Sequence, residues 1–516
     1  MLWQMDDDDT QRRRLDLEKE ERAKARWTML RNALLKKKNG GVDDDVISSS
    51  NYSINAFPGF NLLDRTIFNS STDSDGDTPP TTTTTTAVTN RDDHEYHLVR
   101  NSYTPNSRTN ANPRPISFIT RETSIIDPYS HIKYNGIDNT GNVRVWDAES
   151  TLAAFILSII LDDYEDIVEL LKVKIDENDT ADEHQQRRSI VHLRRDIRSM
   201  IMTRPRTSLL RDNSSSSSSS SNPQSSLSDD ACNILELGAG QAGLAALAIT
   251  NMAHLYNGTD IIKSLSTVIT DGHPTCVANN KVCARLVSSI SSSINGSSSS
   301  SRVSLQVESL CWDSSIDVGG DTCQRINKLV DNENWFTNTI TTTNTKNKEE
   351  EEEEDQHRQR PAYHLVLASD CTHFTNYHDG LLLTIARTLI VGGVALLCQP
   401  RRGTTLDEFM TLITVVNDNT NNNNSGIGPL FCMTMYEEFH AKITTMHKSL
   451  MMDKEGGSIK SNADDDEDDT SVKSLLERSY DPNRHLPLLL VLVKLRPYDE
   501  TIDGDIVRGY HNNITR

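Results

Sequence analysis

Ile234-Leu-Glu-Leu-Gly238-Ala-Gly240-Gln-Ala-Gly243 decides how this chain is read. The apolar run Asn233–Leu237 has strand character, three glycines follow within six residues, and an Ala/Leu-rich helix, Gly243–Leu255, opens directly from the last of them. A glycine turn between a buried strand and a helix lets a ligand approach the backbone. The free N–H groups at the helix start then face its anionic part.

Outward from that loop the pattern alternates. Strands are predicted at Thr267–Thr270, Val303–Leu310, His364–Ala368 and Gly393–Cys398, with helices at Thr275–Val287, Gly380–Ile390 and Thr405–Val416. Short extended pieces near Ile116–Ile126 and His131–Tyr134 and an apolar helix, Ala148–Leu161, precede the loop. Continuous apolar strands alternating with helices imply a mostly parallel, doubly wound α/β sheet covered on both faces. The last two strands, Leu430–Met435 and Leu486–Leu495, lack a simple crossover and read as an antiparallel edge pair.

Candidate site residues follow from strand ends, because parallel α/β sheets bind ligands at the carboxyl ends of their strands. The glycine loop (Gly238, Gly240, Gly243) fits a dinucleotide or S-adenosylmethionine. Asp271, after the second strand, is placed to accept both hydroxyls of a ribose, which either ligand has. Trp312-Asp313 after the third strand would lie beside the adenine. Asp370, after the fourth, is placed to hold an ammonium group, and His373 and Phe374 to wall an acceptor channel.

These blocks resemble the class I, seven-β-strand methyltransferases, in which an acid stands two residues before the first loop glycine, as Glu236 does here. Within that class the chain resembles the protein-lysine methyltransferases, most of all the calmodulin-lysine N-methyltransferases. The resemblance covers nearly the whole folded chain: Ala25-Arg-Trp-x-x-Leu-Arg31, Asp138-Asn-Thr-Gly-Asn-Val143 with Val145-Trp146, the glycine loop, Thr270-Asp271-Gly272, Trp312-Asp313 and Asp370-Cys371. Its discriminating second half is Pro400-Arg-Arg-Gly-x-Thr-Leu406-x-x-Phe409, Tyr436-x-x-x-His440 and His485-x-Pro-Leu-Leu-Leu490. Asp147 stands where the family usually has proline, the loop reads Gly-Ala-Gly-Gln-Ala, and Thr372-His373 replaces more apolar neighbours.

The resemblance implies a Rossmann-like sheet of seven strands with an antiparallel C-terminal strand. It implies S-adenosyl-L-methionine as cofactor, bound by Trp146, Glu236, Gly238, Gly240, Gly243, Asp271, Trp312 and Asp370, and no metal. Calmodulin is the implied protein substrate. Phe374, Arg401 and Arg402 would meet it, the two arginines through its carboxylates. Asp370 would position the reacting amine, and Tyr436 and His440, one helical turn apart, would line its channel. Other readings stay open: another protein lysine, an NAD-linked oxidoreductase, or a non-catalytic cofactor-binding scaffold.

Composition bounds the rest. Of 516 residues, 35% are hydrophobic and 5% aromatic, too few for a chain folded end to end, so one catalytic-sized core is expected. Net charge is -21, carried mainly by the acidic tracts Asp6–Asp9, Asp43–Asp45, Glu349–Asp355 and Asp464–Asp469. The folded part is then near neutral, which disfavours a nucleic-acid binder. No apolar run is long enough for a membrane span, the acidic start argues against a leader, and eight cysteines without a C-x-x-C pair suit buried thiols. An intracellular protein, cytoplasmic or nuclear, is expected. Residues 1–115 read as a helix (Glu18–Lys38) plus a largely disordered extension, 116–498 as the catalytic domain, and 499–516 as a tail. Low-complexity insertions are expected at about 205–230, 288–301, 337–360, 417–428 and 453–483.

Overall fold

Strands rich in Leu, Ile and Val, each buried along nearly its whole length, set the architecture. A computed structural model describes residues 59–68, 96–105, 115–123, 145–161, 181–202, 231–256, 262, 264–295, 303–312, 323, 362–422, 427–455 and 480–514. All belong to one unit, Phe57–Arg516. The expected N-terminal helix, the piece at His131–Tyr134, the segment Asp138–Val143 and Asp313 lie outside the described residues.

Seven strands form the main sheet: β4 (Ala231–Leu237), β5 (Ser264–Asp271), β6 (Val303–Ser309), β7 (Tyr363–Ser369), β8 (Leu389–Pro400), β9 (Phe431–Tyr436) and β10 (Pro487–Lys494), in the order β6-β5-β4-β7-β8-β10-β9. Neighbours from β6 to β8 pair in parallel, and β10 runs antiparallel to both β8 and β9. The doubly wound, mostly parallel sheet of seven strands with an antiparallel C-terminal strand is present.

Alternation along each strand feeds two cores. Ile234, Leu365, Leu367, Val394, Leu396, Leu489 and Val491 face one, with the helices α1 (Asp147–Leu161), α2 (Ala181–Ile201) and α3 (Leu244–Leu255). Leu235, Leu237, Val366, Ala368, Ala395, Leu397, Leu490 and Leu492 face the other, with residues of α5 (His378–Thr388) and α6 (Thr405–Asn422). Each fully buried leucine or isoleucine contributes about 1.5–3 kcal/mol. Between α3 and α5 in the chain comes α4 (Pro274–Asn295), after β5.

The last two strands do pair antiparallel at one edge of the sheet, with β10 the inner strand, also paired to β8, and β9 the outermost. The reason for that order is polarity, since Pro487–Leu492 are all buried whereas β9 exposes Cys432. Several other expectations need correction. The extension before Pro115 contains two strands, β1 (Asp64–Phe68) and β2 (Tyr96–Tyr103). With β3 (Ile116–Thr123) they form an antiparallel sheet of their own. Helix α4 continues through Ser288–Asn295 and α6 reaches Asn422, so parts of two expected insertions are helical. A further helix, α7 (Ala441–Glu455), was not expected.

Residues 499–514, within the expected tail, are packed on the core. A one-turn helix, α8 (Pro482–His485), precedes β10, and α9 (Asp505–Ile514) follows it, burying Val507 in the second core. Glu500 accepts from the buried Arg387 of α5 at 2.7 Å, and Arg496 pairs with the fully buried Asp503.

Candidate functional site

The turn after β4 can be made only by residues that tolerate positive φ. Gly238, Gly240 and Gly243 sit at φ 58°, 56° and 54°. A Cβ at Gly238 would stand 2.5 Å from the Trp312 ring and 2.8 Å from the Cys371 sulfur, so this glycine also serves close packing. The loop is tied from outside. Ala239 N–H donates to Thr270 O (2.9 Å), Asn280 Nδ2 to Gly240 O (3.0 Å), and Asn279 Nδ2 to Gln241 O (2.7 Å) and Arg121 O (2.7 Å). Asn279 and Asn280 of α4 escaped the sequence reading; two buried asparagines in the helical run Val-Ala-Asn-Asn were the available signal.

Three acids surround this loop, Glu236 and Glu149 buried and Asp271 half-buried. Asp271 ends β5 and accepts from Gly240 N–H on Oδ2 (2.8 Å) and from His273 N–H on Oδ1 (2.7 Å). Burial pushes its carboxyl up to about 6, against the pull of both bonds. Glu236, 1% exposed, accepts from Ala246 N–H (2.9 Å) in the first turn of α3, where the helix dipole favours a carboxylate; burial still pushes it up to about 7. Expected as a cofactor contact, Glu236 thus holds the helix that the loop leads into. Glu149, in the first turn of α1, escaped the sequence reading. Its Oε1 accepts from Trp146 N–H (3.3 Å), half of a capping box, while buried Oε2 has no protein partner. Burial first, then the nearby Glu236 charge, raise it well above the carboxylate range.

Across the loop, Asp370 ends β7 at φ 55° and donates its N–H to Cys398 O (3.0 Å). Its carboxylate is gripped by Arg402: Nε donates to Oδ1 at 2.8 Å and Nη2 to Oδ2. The Arg402 guanidinium also lies 4.9 Å from the centre of the Trp146 ring. Trp146, Arg402 and Asp370 therefore form one stack joining α1, the end of β8 and the end of β7. Trp312 packs over Gly238, and a Cβ on Gly380 would run into its carbonyl, so α5 abuts it directly. Gln399 holds the turn after Asp370, accepting from Thr372 N–H at 3.1 Å. Beyond it stand His373 and Phe374, rings 5.2 Å apart, and the exposed Tyr377.

The structure thus brings Gly238, Gly240, Gly243, Asp271, Trp312, Asp370, Trp146 and Phe374 to the carboxyl end of the sheet, and besides that of Glu236 it alters four expected roles. Arg402 was expected to meet substrate carboxylates but is engaged by Asp370. Arg401 pairs with Glu437 at 3.2 Å, both side chains exposed. Tyr436 and His440 are not a turn apart on a helix: Tyr436 ends β9 and His440 precedes α7. Through the register Ser369, Cys398, Leu489, Tyr436, the tyrosine stands three strand spacings from the end of β7, roughly 14 Å. Its buried hydroxyl is bonded to Ser189 Oγ of α2 at 2.6 Å. Burial, with Arg194 and Lys442, pulls the His440 imidazole down to about 3, so it is neutral at physiological pH.

Among the described residues no helix is long and apolar enough to cross a membrane, and no group of three or more His, Cys, Asp or Glu could hold a metal ion. All eight cysteines are free thiols.

No family model and no curated protein matches the chain. Among solved structures it is similar to an O-methyltransferase from Bacillus cereus in complex with SAH (8% identity, 67% of this chain and 97% of that one, TM-score 0.26). It is also similar to SAM-dependent methyltransferases from Thiobacillus denitrificans (12%, 51% and 85%, TM-score 0.21) and Geobacter sulfurreducens (13%, 51% and 84%, TM-score 0.22), both in complex with S-adenosyl-L-homocysteine. Likenesses this distant carry no weight for function.

Proposed function

We propose that this chain is an S-adenosylmethionine-dependent methyltransferase that acts on a protein lysine, with calmodulin the protein substrate to which its sequence points. The observation that carries the cofactor is the placing of β10 antiparallel between β8 and β9, in a sheet that also holds a ribose-type acid at the end of β5. The dinucleotide-binding sheet keeps its strands in the order 3-2-1-4-5-6 and inserts no such strand.

The residues present fit this cofactor. Asp271, oriented by the Gly240 and His273 N–H groups, would take the ribose hydroxyls, and Trp312, packed over Gly238, would lie beside the adenine. The buried Glu149 Oε2, Asn280 Oδ1 and Trp312 Nε1 have no protein partner, so polar atoms remain for a ligand. The cofactor, when bound, supplies an electrophilic methyl group. The chain's own part is positioning and electrostatics.

A lysine amine has a pKa of about 10.4, so only about one in 2,500 is neutral at pH 7, a cost of roughly 4.6 kcal/mol before reaction. Burial in an acceptor channel walled by His373 and Phe374 would lower that cost. Arg401 supports an acidic partner, because exchanging its exposed bond to Glu437 for an acceptor carboxylate costs little. A calmodulin acceptor would place the protein in the cytoplasm or nucleus.

Incubation with labelled S-adenosylmethionine and a protein panel tests the reading. Label on calmodulin that vanishes when its acceptor lysine is substituted supports it. Label on another protein alone keeps the chemistry and removes calmodulin.

A further inference from the structure

The Asp370–Arg402 pair bears on a difficulty in that chemistry, and the role inferred for it rests on the lysine reading. A lone carboxylate at the end of β7 would hold an incoming amine in its charged, unreactive form. Here both carboxylate oxygens are bonded to one guanidinium, and the two side chains are only 10% and 21% exposed, so water screens the pair weakly.

The turn is shaped to deliver that guanidinium. Arg402 adopts φ 46°, a region costly for a residue with a Cβ, and Gly403 follows at φ 77°. Arg402 N–H donates to Asn483 O at 2.7 Å, which fixes the backbone, and the Trp146 ring backs the side chain. Of the other ionisable groups nearby, burial raises the Cys371 and Cys398 thiols and the Glu149 and Asp271 carboxyls, and Arg401 is matched by Glu437. His373 stands on the same turn.

We propose that Arg402 is a positioning residue that cancels the charge of Asp370 beside the acceptor, so that the pocket takes up the amine in its neutral, nucleophilic form. The ammonium gives its proton to water, the nitrogen lone pair forms the new N–C bond, and the S–C bond breaks with its electron pair left on sulfur. The methylated ammonium then carries the positive charge that the sulfonium lost.

The test is the pH dependence of kcat at saturating calmodulin between pH 6 and 9.5, which reports the bound complex. In R402Q the midpoint of the rising limb should move up by about one unit, with kcat at pH 7 about tenfold lower. In the double variant R402Q/D370N, with both charges gone, the midpoint should return to the wild-type value, whatever the amplitude. R402K should keep most of the wild-type midpoint. Adenosylhomocysteine affinity, read by calorimetry, should stay within threefold in R402Q and R402K, and thermal melts should show the double variant folded. An unchanged midpoint in R402Q, or a double variant that shifts as far as the single one, overturns the proposal and leaves the methyltransferase reading standing. A wild-type chain that binds adenosylhomocysteine but methylates no lysine at any pH removes the lysine reading and this inference together.

Discussion

The N–H of Gly240 donates to Asp271 Oδ2 at 2.8 Å, so the loop after β4 and the acid that ends β5 form one unit. With His273 N–H on the other oxygen, the carboxylate is oriented before any ligand arrives. Such preorganisation moves part of the ordering cost of binding into folding.

Asp271→Asn should therefore weaken adenosylhomocysteine binding by about 10- to 100-fold, the worth of one or two charge-assisted bonds to a ribose. Titration calorimetry reads this directly. An affinity within threefold of wild type would remove Asp271 from the cofactor site.

Glu236 makes stability fall with pH. Its folded pKa of about 7 lies above the ordinary 4.5, so the folded chain keeps a proton that the unfolded chain has released. Its stabilising contribution is complete below about pH 4.5 and is lost as pH rises through 7, a change of about 3 kcal/mol. Asp271, pushed up to about 6, acts in the same direction. Urea melts of the unliganded chain at pH 5.5 and 8 should show wild type losing clearly more stability than Glu236→Gln. Equal losses in the two proteins would mean that Glu236 does not titrate in this range.

At Gly238 an added methyl group meets the Trp312 ring and the Cys371 sulfur while forcing an unfavourable φ. Gly238→Ala should cost about 2–4 kcal/mol and abolish detectable cofactor binding, whereas Gly403→Ala, with open space around its Cβ, should cost about 1 kcal/mol. Thermal melts rank the two. The reverse ranking would contradict the close packing of the loop.

Tyr436 gives a contrasting case. Since its hydroxyl is bonded to Ser189, Tyr436→Phe should lower stability by about 1 kcal/mol and leave kcat within twofold. A large fall in kcat without a change in stability would restore the tyrosine to the acceptor channel.

What could be read in the sequence was whatever leaves a local pattern. Strands β4, β5, β7 and β8 are apolar runs bounded by glycine, helix or charge, and Asp271 and Asp370 are legible because they follow such strands. Strands β1 and β2 were hidden among Ser, Thr and Asp, and β2 turns a polar residue inward: Asn101 is fully buried and bonded to Thr120 at 2.9 Å. Helix α2 carries a stripe of Ile190, Leu193, Ile197 and Ile201 within a charged segment that masks it. The four-residue spacing of Tyr436 and His440 imitates a helix turn, yet a strand end and a loop produce the same spacing. The grip of Arg402 on Asp370 joins residues 32 positions apart, and only the folded turn after β8 reveals it.

One titration decides the cofactor most directly: calorimetry of the wild-type chain with adenosylhomocysteine and, separately, with NADH. Adenosylhomocysteine should bind saturably and one to one, more weakly in Asp271→Asn, and NADH should give no heat. Saturable binding of NADH with none of adenosylhomocysteine would contradict a methyltransferase site.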